Sequence, residues 1–231
     1  ASSFPVITAN DRNVAAFFDL DGTLLSVNSG RLWVAFERRL GRISRSKYLE
    51  ALVYLVAYRL NRIDMAAVMR RALAVYQGEP EAGVREKTRR WYLDEVAPKV
   101  APGAYPVVAA HRRAGHRLVL LTSSSLYESE VATEHFGLHD FLCSPYEVVD
   151  GRFTGEPVMP ICYGEGKVHY AERYAREHGI DLSASYFYTD SGSDLPMLLE
   201  VGHPRVVNPD PSLRRAARRR GWPVLDWGRP L

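Results

Sequence analysis

The stretch Val14-Ala15-Ala16-Phe17-Phe18-Asp19-Leu20-Asp21-Gly22-Thr23 decides the fold of this chain. Its first five residues are apolar, and the run ends at Asp19. A short apolar run that stops at a turn signal is typical of a strand buried on both faces of a parallel sheet. In such sheets, ligands bind outside the carboxyl ends of the strands. We therefore expect Asp19 and Asp21 to lie where a ligand would bind.

Helices and strands alternate from about residue 105 to the end of the chain. A hairpin turn at Asp150-Gly151 is predicted inside a loop region over 141–158. Strands that alternate with helices form right-handed units around a parallel sheet, so we expect a doubly wound, Rossmann-like α/β core. The pattern predicts helices over 105–114, 126–136, 167–178, 193–201 and 211–220, and strands over 117–121, 185–189, 205–207 and 223–225.

Residues 28–96 have a different pattern, because no strand-like alternation interrupts a series of helices. Asp64 is a suitable N-cap for one of these helices. We expect an all-helical cap over 27–97, inserted after the first strand, and a catalytic core over 1–26 and 98–231. An apolar helix over 48–60 is expected to form the core of the cap, with a substrate wall or a dimer seam as alternatives.

The composition is that of an ordinary globular protein, with 46% hydrophobic and 25% charged residues in 231. A net charge of +3 gives no strong electrostatic footprint for nucleic acid or an anionic membrane, so neither is an expected partner. The chain also has no long apolar run and no signal-peptide pattern. With only Cys143 and Cys162 as cysteines, we expect a cytoplasmic protein with reduced thiols. The sequence does not indicate an oligomeric state.

Two more polar clusters follow predicted strands. They are Thr122-Ser123-Ser124-Ser125 and Asp190-Ser191-Gly192-Ser193-Asp194. Parallel strands would bring both clusters to the edge that carries Asp19 and Asp21. Four carboxylates at one edge would repel one another unless a cation lay among them, and their hard oxygen atoms suit Mg²⁺.

The serine-rich cluster provides what an anion needs. Thr122 to Ser125 lies between a strand and a helix N-terminus, where hydroxyls, free amides and the helix dipole favour negative charge. Lys167 is expected in the first turn of its helix, where a cation is unfavourable unless a bound anion compensates for it. Each feature alone has an ordinary explanation as a turn, an N-cap or a solvated lysine. Together they predict a phosphate site.

The segments FFDLDGTLL, LVLLTSSS, GEGK and YFYTDSGSDLPML resemble the four motifs of the haloacid-dehalogenase superfamily. The likeness is greatest to its phosphoserine-phosphatase-like branch, which has a helical cap inserted after the first motif. The order and spacing agree from about Val14 to Asp226. The combination of motifs is specific, whereas any one of them would not be.

The resemblance implies a role for each matching residue. Asp19 would be the nucleophile and Asp21 the general acid and base, while Thr122 would hold the phosphoryl oxygens and Lys167 would neutralise their charge. The expected phosphate-binding residues are Thr122, Ser123, Ser124 and Lys167. The expected Mg²⁺ ligands are Asp19, the main-chain carbonyl of Asp21, Asp190, and Asp194 directly or through water.

These residues together predict an Mg²⁺-dependent phosphatase that hydrolyses a small phosphorylated metabolite through an aspartyl-phosphate. A phosphotransferase or mutase on the same motifs is the closest alternative, and a non-catalytic binding module is a third. The second motif has Thr-Ser-Ser where phosphoserine-specific enzymes more often have Ser-Gly-Gly. Residues 26–30 also contain no acid that would bind a substrate ammonium group, and the next acid is Glu37. We therefore expect a compact substrate other than phosphoserine, such as a phosphorylated amino alcohol or a glycerol phosphate.

Overall fold

A six-stranded sheet forms the centre of the computed structural model, which describes residues 13–46, 48–50, 53 and 64–228. Each strand of this sheet is parallel to its neighbours, which confirms the predicted α/β architecture. In spatial order the strands are β3 (Asp140–Ser144), β2 (Arg117–Ser125), β1 (Ala15–Phe18), β6 (Tyr186–Thr189), β7 (His203–Val207) and β8 (Val224–Leu225).

Helices cover both faces of the sheet, and strand β1 contributes to both cores. Ala16 and Phe18 pack with the first helical layer, and Ala15 and Phe17 pack with the second. A strand covered on both faces needs apolar residues at every position, as β1 has. No helix in the described ranges is long and apolar enough to cross a bilayer. The first layer contains α4 (Ala104–Arg113) and α5 (Leu126–Phe136), and the second contains α6 (Glu165–His178), α7 (Leu195–Glu200) and α8 (Pro211–Arg220).

The described part of the predicted cap is helical. Asp64 caps α2 (Met65–Leu73), as predicted, by accepting hydrogen bonds from the amides of Ala66 and Ala67. The apolar helix predicted over 48–60 lies largely outside the described residues. The other α-helices of this region with both ends in the described ranges are α1 (Ser29–Arg39) and α3 (Glu81–Trp91), the latter followed by a π-helical turn over Tyr92–Val96.

The two chain connections to this helical region run side by side. The amide of Ser26 donates to the carbonyl of Lys99 at 2.9 Å, and the amide of Ala101 donates to that of Leu24 at 2.9 Å. The segment therefore leaves and rejoins the sheet at one place. The boundaries at 26/27 and 97/98 stay predictions.

A hairpin formed by β4 (Tyr146–Val149) and β5 (Arg152–Pro157) has its turn at Asp150-Gly151, as predicted. It packs against the cap, where Phe153 clusters with Val84 of α3, and against Tyr127 of the core helix α5. The amide of Gly78 donates to the carbonyl of Phe153 at 2.8 Å. The hairpin lies within residues 98–231, which the sequence assigns to the core, and yet it packs with the cap.

The structure corrects three predicted boundaries. The segment predicted as a loop over 141–158 begins with β3, an edge strand whose first two residues are only partly buried and therefore show no periodic signal. Strand β2 continues to Ser125, where it pairs with Ser144 beyond a register shift, although its polar end reads as a turn. Helix α7 begins at Leu195, after a 3₁₀ turn over Gly192–Asp194.

Two histidines, His111 and His116, are buried in the protein. Nδ1 of His111 lies 2.8 Å from Nδ1 of His116, and Nε2 of His111 lies 2.8 Å from the hydroxyl of Tyr188. Burial, together with the neighbouring His116, lowers the pKa of His111 from 6.5 to about 3. This imidazole is therefore neutral in the folded protein at neutral pH.

The buried His111 predicts a loss of stability in acid. Its ordinary pKa is 6.5, so below that pH the unfolded chain binds a proton that the folded protein does not bind. The free energy of unfolding should fall as pH decreases, by up to about 1.4 kcal/mol per pH unit from this group. His111→Asn should therefore have a shallower pH dependence in urea unfolding between about pH 6 and pH 4.

The exposed His178 provides the control. His178→Asn should keep the slope of the unmodified protein. Equal slopes for His111→Asn and the unmodified protein would contradict this interpretation of His111.

Candidate active site

The sheet register brings the three predicted polar clusters to one edge. Strand β1 lies between β2 and β6, and Asp19, Thr122 and Asp190 stand at the carboxyl ends of these strands. The amide of Asp19 donates to the carbonyl of Tyr188 at 2.9 Å, which continues the β1–β6 pairing to the site. Neighbouring strands thus hold the three side chains on rigid backbone.

Lys167 joins two of these clusters. Its Nζ donates to Oδ1 of Asp19 at 2.8 Å and to Oδ2 of Asp194 at 2.7 Å. Lys167 is 2% exposed and Asp194 is 1% exposed, so both ion pairs are buried. Thr189 fixes the arrangement because its hydroxyl donates to Oδ2 of Asp194 at 2.6 Å.

These contacts correct one expectation. The charge of Lys167 in the first turn of α6 was expected to need a bound anion. In the structure, the carboxylates of Asp19 and Asp194 compensate for it. The position of Lys167 in its helix is therefore not by itself evidence for a phosphate ligand.

The pKa of Asp19 is raised from 3.8 to about 7, chiefly by burial. Lys167 opposes this increase, while the negative charges of Asp194 and Asp21 contribute to it. A carboxylate in such surroundings carries its charge only when cations are close. Asp19 is therefore placed so that its reactivity depends on the charges around it.

Glycine at position 166 allows Lys167 to reach the site. A Cβ on Gly166 would overlap the main-chain carbonyl of Ile161, so only glycine lets the first turn of α6 pack this closely. The amide of Gly166 also donates to the carbonyl of Tyr163 at 2.9 Å. This close packing explains the second glycine of the GEGK motif, Gly166.

A second glycine brings Asp190 close to the loop after β1. Gly22 has a φ of +74°, and a Cβ at this position would overlap the Asp190 carboxylate. The carboxylate of Asp190 therefore lies against the loop that carries Asp19 and Asp21. Among the described residues, no three His, Cys, Asp or Glu side chains are arranged to hold a metal ion. A metal at this position would need main-chain and water ligands in addition to carboxylates.

Asp21 points towards the start of the first cap helix. Its Oδ1 accepts a hydrogen bond from the amide of Ser29 at 2.8 Å, and its Oδ2 accepts one from Nδ2 of Asn28 at 3.2 Å. Ser29 is the first residue of α1. The expected acid–base residue therefore lies at the junction between the sheet edge and the cap.

The serine-rich run has several local roles. Ser125 is the N-cap of α5, and its hydroxyl accepts from the amide of Glu128 at 3.2 Å. The amide of Ser124 donates to Oγ1 of Thr122 at 3.1 Å, and the Ser124 hydroxyl hydrogen-bonds with the carboxylate of Glu128. Thr122 is buried and Ser123 is half-buried at the end of β2. Thr122 and Ser123 fit the phosphate role, whereas the hydroxyl of Ser124 is shared with Glu128.

Glu128 is the acidic residue at this edge that sequence reasoning missed. It is 7% exposed, and burial together with the charge of Asp21 raises its pKa from 4.5 to about 8. A glutamate in the first turn of a helix is usually solvated and interacts favourably with the helix dipole. Its position in the sequence therefore gave no indication of a functional role. The spacing Ser125-x-x-Glu128 predicts a capping box, the one signal that singles this residue out. Within the described residues, however, its Oε1 is buried without a hydrogen-bond partner.

A cavity of about 440 Å³ lies elsewhere, between α3 and α5. Its lining includes Arg85, Arg89, Glu130 and Glu134, which form ion pairs between the two helices. None of the predicted site residues lines it. This cavity therefore belongs to the contact between cap and core and not to the sheet edge.

Comparison with known proteins gives the family. The family model of haloacid dehalogenase-like hydrolases matches residues 16–199. A phosphoserine phosphatase of Mycobacterium tuberculosis is 34% identical over 224 residues, covering 94% of this chain and 72% of that protein. A histidinol-phosphatase of Neisseria meningitidis is 28% identical over 217 residues, covering 92% of this chain and 98% of that protein.

A solved structure supports the fold. The crystal structure of a protein of unknown function from Bordetella pertussis Tohama I has a TM-score of 0.85 and 28% identity, covering 94% of this chain and 99% of that one. The expected enzyme class, a hydrolase of phosphoric monoesters, agrees with the names of the two relatives. The chain therefore belongs to the haloacid dehalogenase-like hydrolases, as its four motifs predict.

Proposed function

We propose that this protein hydrolyses a small phosphomonoester through an aspartyl-phosphate formed on Asp19. The observation that carries the proposal is the buried 2.8 Å contact between Oδ1 of Asp19 and Nζ of Lys167 at the carboxyl end of β1. It places a carboxylate nucleophile beside a cation that suits phosphoryl oxygens. The substrate would be a small phosphorylated metabolite.

The first chemical step uses Asp19, Lys167 and Thr122. A carboxylate oxygen of Asp19 forms a bond to phosphorus while the bond from phosphorus to the ester oxygen breaks. The Nζ of Lys167 and the hydroxyl of Thr122 would hold the phosphoryl oxygens, on which negative charge accumulates. Since Lys167 already contacts Asp19, nucleophile and phosphate would meet at the same cation.

Asp21 would move the protons. In the first step its carboxylic acid would protonate the leaving alcohol oxygen, and in the second its carboxylate would take a proton from the attacking water. That water releases phosphate and restores Asp19. The half-buried position of Asp21 at the cap junction allows it to face both the alcohol and the water.

The donor set fits Mg²⁺. The carboxylates of Asp19 and Asp190 and the main-chain carbonyl of Asp21 would hold the ion, which prefers such hard oxygen ligands and retains waters. When bound, Mg²⁺ supplies positive charge that lets an anionic nucleophile approach an anionic substrate. Oδ2 of Asp194 is already bonded to Lys167 and Thr189. We therefore assign Asp194 to fixing Lys167, with any contact to the ion made through water.

The cap would recognise the rest of the substrate. The sheet edge holds groups for a phosphoryl unit, whereas α1 begins at Ser29, whose amide donates to the Asp21 carboxylate, and would cover the alcohol side. A cap in this position also excludes water when it closes. Specificity among phosphate esters would therefore depend on residues outside the four motifs.

The nucleophile can be tested by substitution. Asp19→Asn should reduce phosphate release from 4-nitrophenyl phosphate in the presence of Mg²⁺ to below about a hundredth of the unmodified rate, because the amide is not a nucleophile. Release should also stop on chelation of Mg²⁺ and return when Mg²⁺ is added in excess. Release of inorganic phosphate without an acceptor alcohol separates a hydrolase from a phosphotransferase.

Glu86→Gln is a suitable control, because Glu86 forms an exposed ion pair with Arg90 on α3. It should retain the unmodified rate. Retention of more than about a hundredth of that rate by a folded Asp19→Asn variant would exclude the proposed mechanism.

Asp21 and Lys167 should differ in their dependence on the leaving group. Asp21→Asn should slow alkyl phosphate hydrolysis by about 10²–10⁴-fold, and nitrophenyl phosphate less, because nitrophenolate needs little protonation. Lys167→Ala should slow both substrates alike, because Lys167 acts on the phosphoryl oxygens. The measurement is kcat/KM for the two esters in each variant. Equal leaving-group dependence in both variants would contradict the separate roles.

A further inference from the structure

The carboxylate of Glu128 is buried without a partner for one of its oxygens. It is 7% exposed, and its Oε1 makes no hydrogen bond to the described residues. The groups that act on this carboxylate are the charge of Asp21 and the hydroxyls of Ser29 and Ser124, and none of them is a cation. A buried carboxylate is costly unless it binds a proton or meets a positive charge.

Glu37 provides the contrast. It is the first acid after residue 30 and is also buried, but Lys87 at 2.7 Å and Arg42 at 3.0 Å neutralise it. The chain thus supplies cations to a buried acid inside the cap. Glu128 lies at the sheet edge, and within the part of the chain that the structure describes no salt bridge reaches it.

In the proposed reaction, Glu128 lies at the alcohol end of the substrate. Its carboxylate and that of Asp21 meet at Ser29, whose hydroxyl bonds to Glu128 and whose amide donates to Asp21 at 2.8 Å. In the proposed reaction Asp21 protonates the leaving oxygen, so a group beside it faces the alcohol part of the ester. Lys167 serves the phosphoryl end and is bonded to Asp19.

Two tyrosines lie in the same surroundings. Burial raises the pKa of the Tyr92 and Tyr146 hydroxyls, and the nearby charge of Glu128 contributes to the increase for both. Aromatic rings are favourable neighbours for organic ammonium groups. The combination of a carboxylate, hydroxyls and aromatic rings suits an organic cation.

We infer that the Glu128 carboxylate binds a protonated amine on the alcohol part of the substrate, so that phosphate esters of amino alcohols are the preferred class. This inference rests on the proposed phosphatase function. It also modifies the expectation drawn from the missing acid at 26–30, since the carboxylate comes from the first turn of α5. Phosphorylated amino alcohols are thereby favoured over glycerol phosphates.

A matched pair of substrates tests the inference. The measurement is kcat/KM for 2-aminoethyl phosphate and for 2-hydroxyethyl phosphate, which differ in the ammonium group. The unmodified protein should prefer the aminoethyl ester by about tenfold or more, since an ion pair away from bulk water contributes at least that much. Glu128→Gln should remove most of this preference, and Glu128→Asp should give an intermediate ratio.

Glu134→Gln is the control, because Glu134 is an exposed residue of the same helix whose carboxylate contacts Arg89. It should keep the ratio of the unmodified protein. An unmodified protein that hydrolyses 4-nitrophenyl phosphate but shows equal rates for the two esters would overturn the inference and leave the phosphatase function intact. A Glu128→Gln variant that loses activity on both esters with an unchanged ratio would assign Glu128 a structural role. Absence of phosphate release from all three esters would overturn the proposed function itself.

Discussion

The contact of Lys167 with two carboxylates is the interaction on which the rest of the site depends. A buried lysine at a helix N-terminus is unfavourable for two reasons, the loss of hydration and the helix dipole. Asp19 from the end of β1 and Asp194 from the turn after β6 compensate for both. Because each carboxylate comes from a different element, the same contact fixes α6 against the sheet edge and aligns the proposed nucleophile.

Asp21 connects this edge of the sheet to the cap through hydrogen bonds. Its carboxylate accepts from Asn28 and from the first amide of α1, so the proposed acid is held by the helical region that covers it. A movement of α1 relative to the sheet would displace this carboxylate. The hairpin of β4 and β5 ties the core chain to the cap a second time, through Phe153 and Gly78. The position of the cap and the position of the proposed acid are therefore coupled by these contacts.

Local signals explain which elements could be predicted from the sequence. The bounds of α5 and α8 agree with prediction because each helix has a side-chain N-cap, Ser125 or Asp210, and a left-handed glycine at its end. Strand β3 has no comparable signal, since an edge strand is only partly covered. Asp19 and Lys167 could be predicted as site residues because the motifs that contain them are local. Contacts between distant segments, such as Thr189 and Lys167 with Asp194, required the folded structure.

The distribution of charge in the site also depends on contacts between distant segments of the chain. The sequence predicts four carboxylates at this edge of the sheet, and the structure adds a fifth buried acid, Glu128, and gives these acids different partners. Asp19 and Asp194 share Lys167, which makes one end suitable for a phosphoryl group after metal binding. Asp21 and Glu128 lie at the other end, around Ser29, with no cation among the groups that act on Glu128. With Mg²⁺ bound beside Asp19, a ligand that is anionic at one end and cationic at the other would complement both ends of the site.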